Sequence, residues 1–579
     1  MCRWSACTST LGLTTDSLNR RAGHNQERIT MSIFADLKMY WRFARGLRSF
    51  LRHTLSLEEA KAIVRQRMAD REKNFLRLVD HGIFGYRRSP YLPLLKLAGC
   101  EMGDIRNMVR SKGLEGTLRA LRAAGVYITF EEFKGQEPIV RQGRVIPVHV
   151  HDFDNPYLSH YYQAETGGTT GAGTRVQIDL DHLAERASYD LLTYDAYGVL
   201  DAPAAMWHGT LPDSTGISRI LRRARTGRVV EKWFSLTTGR DLRRSLKNRL
   251  ATEYVILAGR LLGVPIPRPE PVSLDQAAIV ALWAAKMLEA HGACLIHTLV
   301  SRAVRVCVAA QEKGLKLTGA TFQFGGEPLT QAKMAAITRT GARCYPAYHF
   351  EEAGPVGIGC ARPVDENDQH FLKDALALIQ HPRQVPGADI TVDAFHFTTL
   401  LPSAPKLMLN VESDDYGVVE TRSCGCPFET YGFTEHLRDI RSFSKLTSEG
   451  VTLVGSEMVR ILEEVLPAKF GGSPLDYQLM EEEDEQGFTR LNLLVSPKIE
   501  IADEAAVIET VLEALGRSSV AADLARAHWG QAKTLRVKRI EPIWTARGKL
   551  MPLHLARRPA GRASASTESK TASGRKPSN

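Results

Sequence analysis

The chain has 579 residues, of which 44% are hydrophobic and 24% charged. That is the composition of a globular protein with a large core and more than one domain. Its formal charge of +10 is gathered at the ends: Ala556–Asn579 holds six basic residues and one acidic, and 31–53 holds five and one. The interior is therefore close to neutral, which excludes a broad electrostatic footprint for nucleic acid. No stretch approaches the roughly 20 uninterrupted apolar residues of a helical membrane span.

In chain order, Met1–Thr30 lacks the apolar core of a signal peptide. It reads as a disordered extension, with Met31 as a plausible start, and a cytoplasmic location is expected. From Ile33, apolar residues recur at helical spacing (Phe34, Leu37, Tyr40, Trp41, Ala44, Leu47, Leu51) with arginines between them. Such a helix can lie on a membrane surface or pack on the protein body; packing is the preferred reading. Gly113–Ala124 reads as helix and Val126–Phe130 as a strand. Asp275–Ala310 reads as one long helical region, and Thr330–Thr340 as a shorter helix. Ser456-Glu457 opens a helix reaching Leu466. Asp476–Met480 and Leu491–Ser496 read as strands joined by Glu481–Gly487, an acidic run that suits a solvated turn better than a metal site. The Ser/Lys/Arg-rich tail after Leu555 has the composition of a disordered segment. No internal repeat is present.

Two segments carry chemistry. Thr166-Gly167-Gly168-Thr169-Thr170-Gly171-Ala172-Gly173-Thr174 has almost no side-chain bulk. Glycine lets a backbone approach a ligand closely, and hydroxyls with bare N–H groups can surround phosphate oxygens. Alone, such a run is equally a flexible connector. Near the folded end, however, stands Thr545-Ala546-Arg547-Gly548-Lys549-Leu550.

In this order the two segments, with three blocks between them, resemble the acyl-adenylate-forming superfamily and its phenylacetate–CoA ligase-like branch, over roughly Arg88 to Leu555. Phe324-Gly325-Gly326-Glu327-Pro328-Leu329 is similar to the family's adenine-side strand and turn. Tyr348-His349-Phe350-Glu351-Glu352 stands where the family has Tyr-Gly-x-Thr-Glu, with His349 and Glu351 as departures. Glu412-Ser413-Asp414-Asp415-Tyr416-Gly417 stands where Thr-Gly-Asp is usual. The stretch from Arg441 to Gly450 resembles the hinge block, although Phe443-Ser444 replaces the usual hinge Asp.

The resemblance implies an α/β fold: a large N-terminal adenylate-forming domain of mixed sheets and helices over 31–440, and a small mobile α+β C-terminal domain over 441–555. It implies that a carboxylic acid, aryl or acyl, attacks the α-phosphate of ATP, giving acyl-AMP and pyrophosphate. The acyl group then passes to a thiol such as CoA. The alternatives are adenylation with transfer to a carrier protein or an amine, and a degenerate nucleotide-binding protein without turnover.

By the same resemblance, Thr166, Gly167, Gly168, Thr169, Thr170 and Gly171 hold the phosphates. Gly325, Gly326, Glu327, Pro328 and Tyr348 line the adenine side. Asp415 takes the ribose hydroxyls, with Asp414 as its rival, and Arg441, rivalled by Arg438, belongs to the nucleotide side. Glu352 binds Mg²⁺, a hard cation that prefers oxygen ligands. Lys549 is the catalytic cation between carboxylate and α-phosphate. Trp207 and His208 are candidates for the acid pocket, with core packing equally open, and Gly450 for the thiol channel.

Nine cysteines without a secretory signal point away from disulfides. Cys424-Gly425-Cys426, with Cys360 and His370 upstream, is similar to a zinc set of some phenylacetate–CoA ligase-like proteins. Thiolates and imidazole suit tetrahedral Zn²⁺, and buried free cysteines are the alternative.

Overall fold

A computed structural model describes residues 39, 41–165, 175–211, 213–236, 246–384, 391–442, 447–448, 451–452, 456–483, 489–515, 535–545 and 548–555. The Thr166–Gly171 run, Gly450, the N-terminal extension and the basic tail lie outside the described residues.

The strand Ala204–Trp207 is wholly buried, as befits a parallel sheet covered on both faces. It sits inside a six-stranded parallel sheet. On one side follow Lys232–Ser235 and Pro269–Pro271; on the other, Cys294–Thr298, Ala320–Phe324 and Arg343–Tyr345. The chain builds outward in one direction and then, from Cys294, in the other. The strand order therefore reverses between Ala204–Trp207 and Cys294–Thr298. In open α/β sheets, ligands bind beyond the carboxyl ends of the strands at such a reversal. Here that crevice is bordered by His208 and Leu299.

A second sheet has seven antiparallel strands, in the order Ala347–Phe350, Gly354–Gly359, Gln369–Phe371, Glu435–Ser442, Val411–Thr421, Thr391–Thr399 and Leu376–Gln384. Since one strand runs through Ser442, the expected boundary at residue 441 cuts a strand of this sheet, and the small unit begins after it. That unit is a four-stranded mixed sheet (Leu535–Lys538, Thr489–Val495, Tyr477–Glu483, Leu553–Leu555) with the helix Glu504–Leu515. The architecture is thus mixed α/β, a large body and a smaller C-terminal unit.

Two local expectations are corrected. Val126–Phe130 is no strand: Ile128 makes a single bridge to Val411. Thr129 caps the short helix Phe130–Phe133 in a reciprocal box with Glu132, a local arrangement that competes with extended backbone. Asp275–Ala310 is two helices, Ala277–His291 and Val300–Glu312, around the strand Cys294–Thr298. Gly292, at φ 72°, ends the first in a left-handed turn. The helix over 41–52 packs on the body: Phe43, Leu47, Phe50 and Leu51 join a core with Tyr162, Ile178, Ile217 and Leu221. No helix among the described residues is long and apolar enough to cross a membrane.

The small unit docks on the parallel-sheet body. Leu475 and Leu550 enter the core around Trp207, Phe234 and Phe322, and the Arg305 guanidinium lies 4.0 Å from the Trp544 ring centroid. A buried ion pair joins Glu463 to Lys333 at 2.7 Å, both side chains about 5% exposed, and the Thr330 hydroxyl also donates to Glu463. Breaking a buried pair from one side strands the other charge, at a cost of about 3–5 kcal/mol. Glu463→Ala should therefore lower the urea midpoint measurably, whereas Glu463→Gln, which keeps the acceptor for Thr330, should lose less. Equal midpoints for wild type and Glu463→Ala would show that this pair does not fasten the unit.

Candidate active site

The site is built around the sheet's reversal. Arg302, on the first turn of Val300–Glu312, is 1% exposed and donates to the carbonyl of Trp207, so it ties that helix to the end of the strand Ala204–Trp207. Burial brings its guanidinium pKa down to about 10. Gly548 presses onto this bridge at φ 68°; a Cβ there would sit 2.5 Å from Leu236 and 2.8 Å from Arg302. Only glycine fits both the space and the left-handed backbone. The turn is closed by Gly548 N–H donating to Thr545 O and Lys549 N–H to Thr545 Oγ1.

Lys549 next reaches across the crevice. Its Nζ donates to Gly326 O at 2.8 Å, and Gly326 lies at φ 80°. The sequence segments around Gly325-Gly326 and Gly548-Lys549 thus meet, although more than two hundred residues separate them. Glu327 serves a different part: it accepts from Ser301 N–H (2.8 Å) and Ser301 Oγ (2.6 Å), fixing the start of Val300–Glu312, where a carboxylate complements the helix dipole. The Ser301 hydroxyl also accepts from Leu550 N–H.

Trp207 is a core residue: it is fully buried and its indole N–H donates to Val272 O. His208, also buried, is held neutral, its pKa brought to about 3 chiefly by burial and then by Arg302, with Arg219 and Lys549 adding to this. Of the two acid-pocket candidates, His208 faces the Lys549 side. So does His349, whose ring packs on Gly325 (a Cβ there would be 2.5 Å from its Cε1) and whose pKa burial drives well below the usual imidazole value.

On the second sheet, the Tyr348 hydroxyl donates to Asp415 Oδ2 at 2.6 Å, and Tyr348 N–H donates to Gln369 Oε1. Burial and the Asp415 charge hold the Tyr348 phenol protonated. Asp414 instead receives the Ser442 hydroxyl, so of the two aspartates Asp415 is the one brought to Tyr348. Arg441 is paired in register with Tyr416, next to Asp415. Its rival Arg438 is occupied by Asp365 and Glu420 at 2.9 and 2.8 Å.

Glu352, expected to bind Mg²⁺, is paired with a lysine. Its carboxylate is 2.7 Å from Lys134 Nζ, with 7% of the side chain exposed. Nothing in the sequence around Lys134 signals this pairing, which spans more than two hundred residues. Glu351 lies on the other side, where its charge acts on Arg186 and Tyr162, close to the strand that leads into the Thr166–Gly171 run.

Cys360, His370, Cys424 and Cys426 converge. Their donor atoms lie within 4.8 Å of one another, with His370 Nε2 3.0 Å from Cys426 Sγ and 3.7 Å from Cys424 Sγ. Bonds of about 2.0–2.3 Å to a central zinc require such spacings. His370 Nδ1 is engaged by Phe433 O at 2.6 Å, which turns the Nε2 lone pair toward the sulfurs, the usual outer-shell support of a metal-binding imidazole. Glu429 accepts from the N–H groups of Cys424 and Gly425 and braces the turn. The described cysteines form no disulfide. These residues fit a tetrahedral Zn²⁺ with no ligand position left for substrate.

No family model matches the chain, and no curated protein matches it. Among solved structures it is similar to a 2-hydroxyisobutyryl-CoA ligase in the postadenylation state in complex with R3-HIB-AMP (15% identity, 87% of this chain and 91% of that one, TM-score 0.48). It is also similar to an anthranilate CoA ligase in complex with anthranoyl-AMP (11% identity, 75% and 74%, TM-score 0.38). A third is an acyl-CoA synthetase (AMP-forming)/AMP-acid ligase II-like protein from Dyadobacter fermentans (14% identity, 67% and 87%, TM-score 0.28). At such identity and overlap, the chemistry has to come from this chain's own residues.

The metal set makes a direct prediction. Purified protein should carry about one zinc per chain, and Cys424→Ser/Cys426→Ser should lose it together with thermal stability, because structural zinc contributes to folding itself. Metal-free protein of unchanged melting temperature would leave the four as ordinary buried side chains.

Proposed function

We propose that the protein activates a carboxylic acid with ATP, forming acyl-AMP and releasing pyrophosphate, and then transfers the acyl group to a thiol such as CoA. The observation that carries this reading is Lys549: a glycine-fitted turn of the C-terminal unit delivers its ammonium to Gly326 at the carboxyl edge of the parallel sheet. In the first step a carboxylate oxygen forms a bond to the α-phosphorus while the bond from that phosphorus to the pyrophosphate oxygen breaks. No proton is consumed. Negative charge crowds the reacting centre, and a fixed cation there stabilises the transition state more than the separated anions. Lys549 acts as a compact point charge.

Tyr348 and Asp415 would take the nucleoside side, Asp415 accepting from ribose hydroxyls as a carboxylate can. The Thr166–Gly171 run, outside the described residues, would enclose the phosphates. Arg302 and His208, buried and uncharged at the imidazole, would keep water from the reacting carboxylate. Glu352, 2.7 Å from Lys134 Nζ, would hold Mg²⁺, a hard cation that would offset phosphate charge. Zinc, held by Cys360, His370, Cys424 and Cys426, would supply structural bracing only. The phenylacetate–CoA ligase-like branch is supported by the cysteine and histidine set alone. CoA as the acceptor, over a carrier protein, and a channel at Gly450 remain parts of this proposal.

Lys549→Ala should reduce acyl-AMP formation about 100-fold or more, the scale of removing one preorganised electrostatic stabiliser. The fold should survive, since the turn is set by Gly548 and Thr545. Pyrophosphate release within a few-fold of wild type by a folded Lys549→Ala protein would remove the lysine from the chemistry.

A further inference from the structure

The helices Leu180–Ala196 and Thr215–Arg225 bury four arginines, each no more than 7% exposed: Arg223, which donates to the carbonyls of Val229 and Ala202, and the cluster of Arg186, Arg219 and Arg222. Arginine is almost never this buried without partners. Asp190 takes Arg222 at 3.1 Å and lies 3.6 Å from Arg219. Arg219 also donates to the neutral amide of Gln323 at 2.9 Å. The Glu351 charge acts on Arg186. Three cations thus face two carboxylates, and the Nε of all three arginines is without a hydrogen-bond partner among the described residues. The hydroxyl of Tyr345 and both ring nitrogens of His182, in the same region, are likewise unpartnered.

Among the described residues one further carboxylate acts nearby, that of Asp213, and it acts on His208 and Arg302. Burial holds His182, His297 and His349 far below the ordinary imidazole pKa, and the arginines push them further the same way. They are therefore neutral beside the cluster. An excess buried cation is costly unless a partner arrives. The position of the cluster indicates where that partner comes from. Gln323, which holds Arg219, lies near the end of the strand Ala320–Phe324, two residues before Gly325. His349 packs on Gly325, and Gly326 carries Lys549. Lys549 and Arg219 both act on His208 and on His349. The cluster and the proposed reacting end thus flank the same two histidines.

We propose that the acid activated here is a dicarboxylic acid. One carboxylate lies at Lys549 and reacts; the second is bound by Arg186, Arg219 and Arg222, whose planar donors suit a carboxylate. This rests on the acid-activating reading above and names its substrate class.

The test uses the full-length protein and matched probes: succinate, glutarate, adipate and isophthalate against butyrate, valerate, hexanoate and benzoate. Pyrophosphate release is measured for each, and binding is measured without ATP by calorimetry. The expected result is release with at least one dicarboxylate and a KM at least about tenfold higher for its monocarboxylate counterpart, the scale of one charge-assisted contact. Arg219→Gln should raise the KM for the dicarboxylate about tenfold and erase the preference, while Arg219→Lys, which keeps the charge, should retain most of it. Asp190 keeps Arg222 in either variant, so no carboxylate is stranded. Should Arg219→Gln fail to fold, the wild-type preference still decides. Release with monocarboxylates at equal or lower KM would overturn the dicarboxylate assignment and leave acid activation standing. Dicarboxylate binding without pyrophosphate release from any acid would uphold the anion site and overturn acid activation. Neither binding nor release would overturn both.

Discussion

The docking of one C-terminal turn against the carboxyl edge of the parallel sheet is the contact on which the rest depends. Lys549 is a long, flexible side chain with high conformational entropy. It is useful only because Gly548 lets the backbone press onto Arg302 and Leu236 and because Gly326 offers a carbonyl at 2.8 Å. Arg302 in turn is held to Trp207 O at the point where the strand order reverses. Sheet topology, a buried cation and two left-handed glycines together fix one ammonium in space. The buried Glu463–Lys333 pair and the Leu475 and Leu550 contacts hold the whole unit in that arrangement.

The antiparallel sheet contributes the other wall. Tyr348 and Asp415 come from strands far apart in the sheet order and are joined by one short hydrogen bond. The same sheet carries the Cys360, His370 and Cys424-Gly425-Cys426 cluster, with His370 on the strand Gln369–Phe371 paired to His436 near the start of Glu435–Ser442. His349 connects the two sheets, being on an antiparallel strand yet packed against Gly325 of the parallel one.

Much of this was legible because it is written locally. Gly326 and Gly548 stand at positive φ, where glycine is favoured; the Cys-x-Cys turn is a weaker signal, joined to Cys360 and His370 only by the family resemblance. The division into a large body and a small four-stranded unit also follows the strand pattern. What was not legible depends on partners distant in sequence. Nothing near Glu352 announces Lys134, and nothing in either helix announces that Arg186 meets Arg219 and Arg222. The misread segments failed for local reasons: the Thr129–Glu132 box turned an apparent strand into a helix, and Gly292 divided an apparent long helix around the central strand Cys294–Thr298. The short apolar run of that strand fits helix and strand alike.

The most direct measurement of the central claim is acid-dependent exchange of labelled pyrophosphate into ATP by the purified full-length chain. Formation of an acyl-adenylate is reversible at this step, so the account predicts incorporation of label only when a carboxylic acid accompanies ATP. Label entering ATP without acid, or ATP converted to ADP and phosphate with no exchange under any acid, would contradict it.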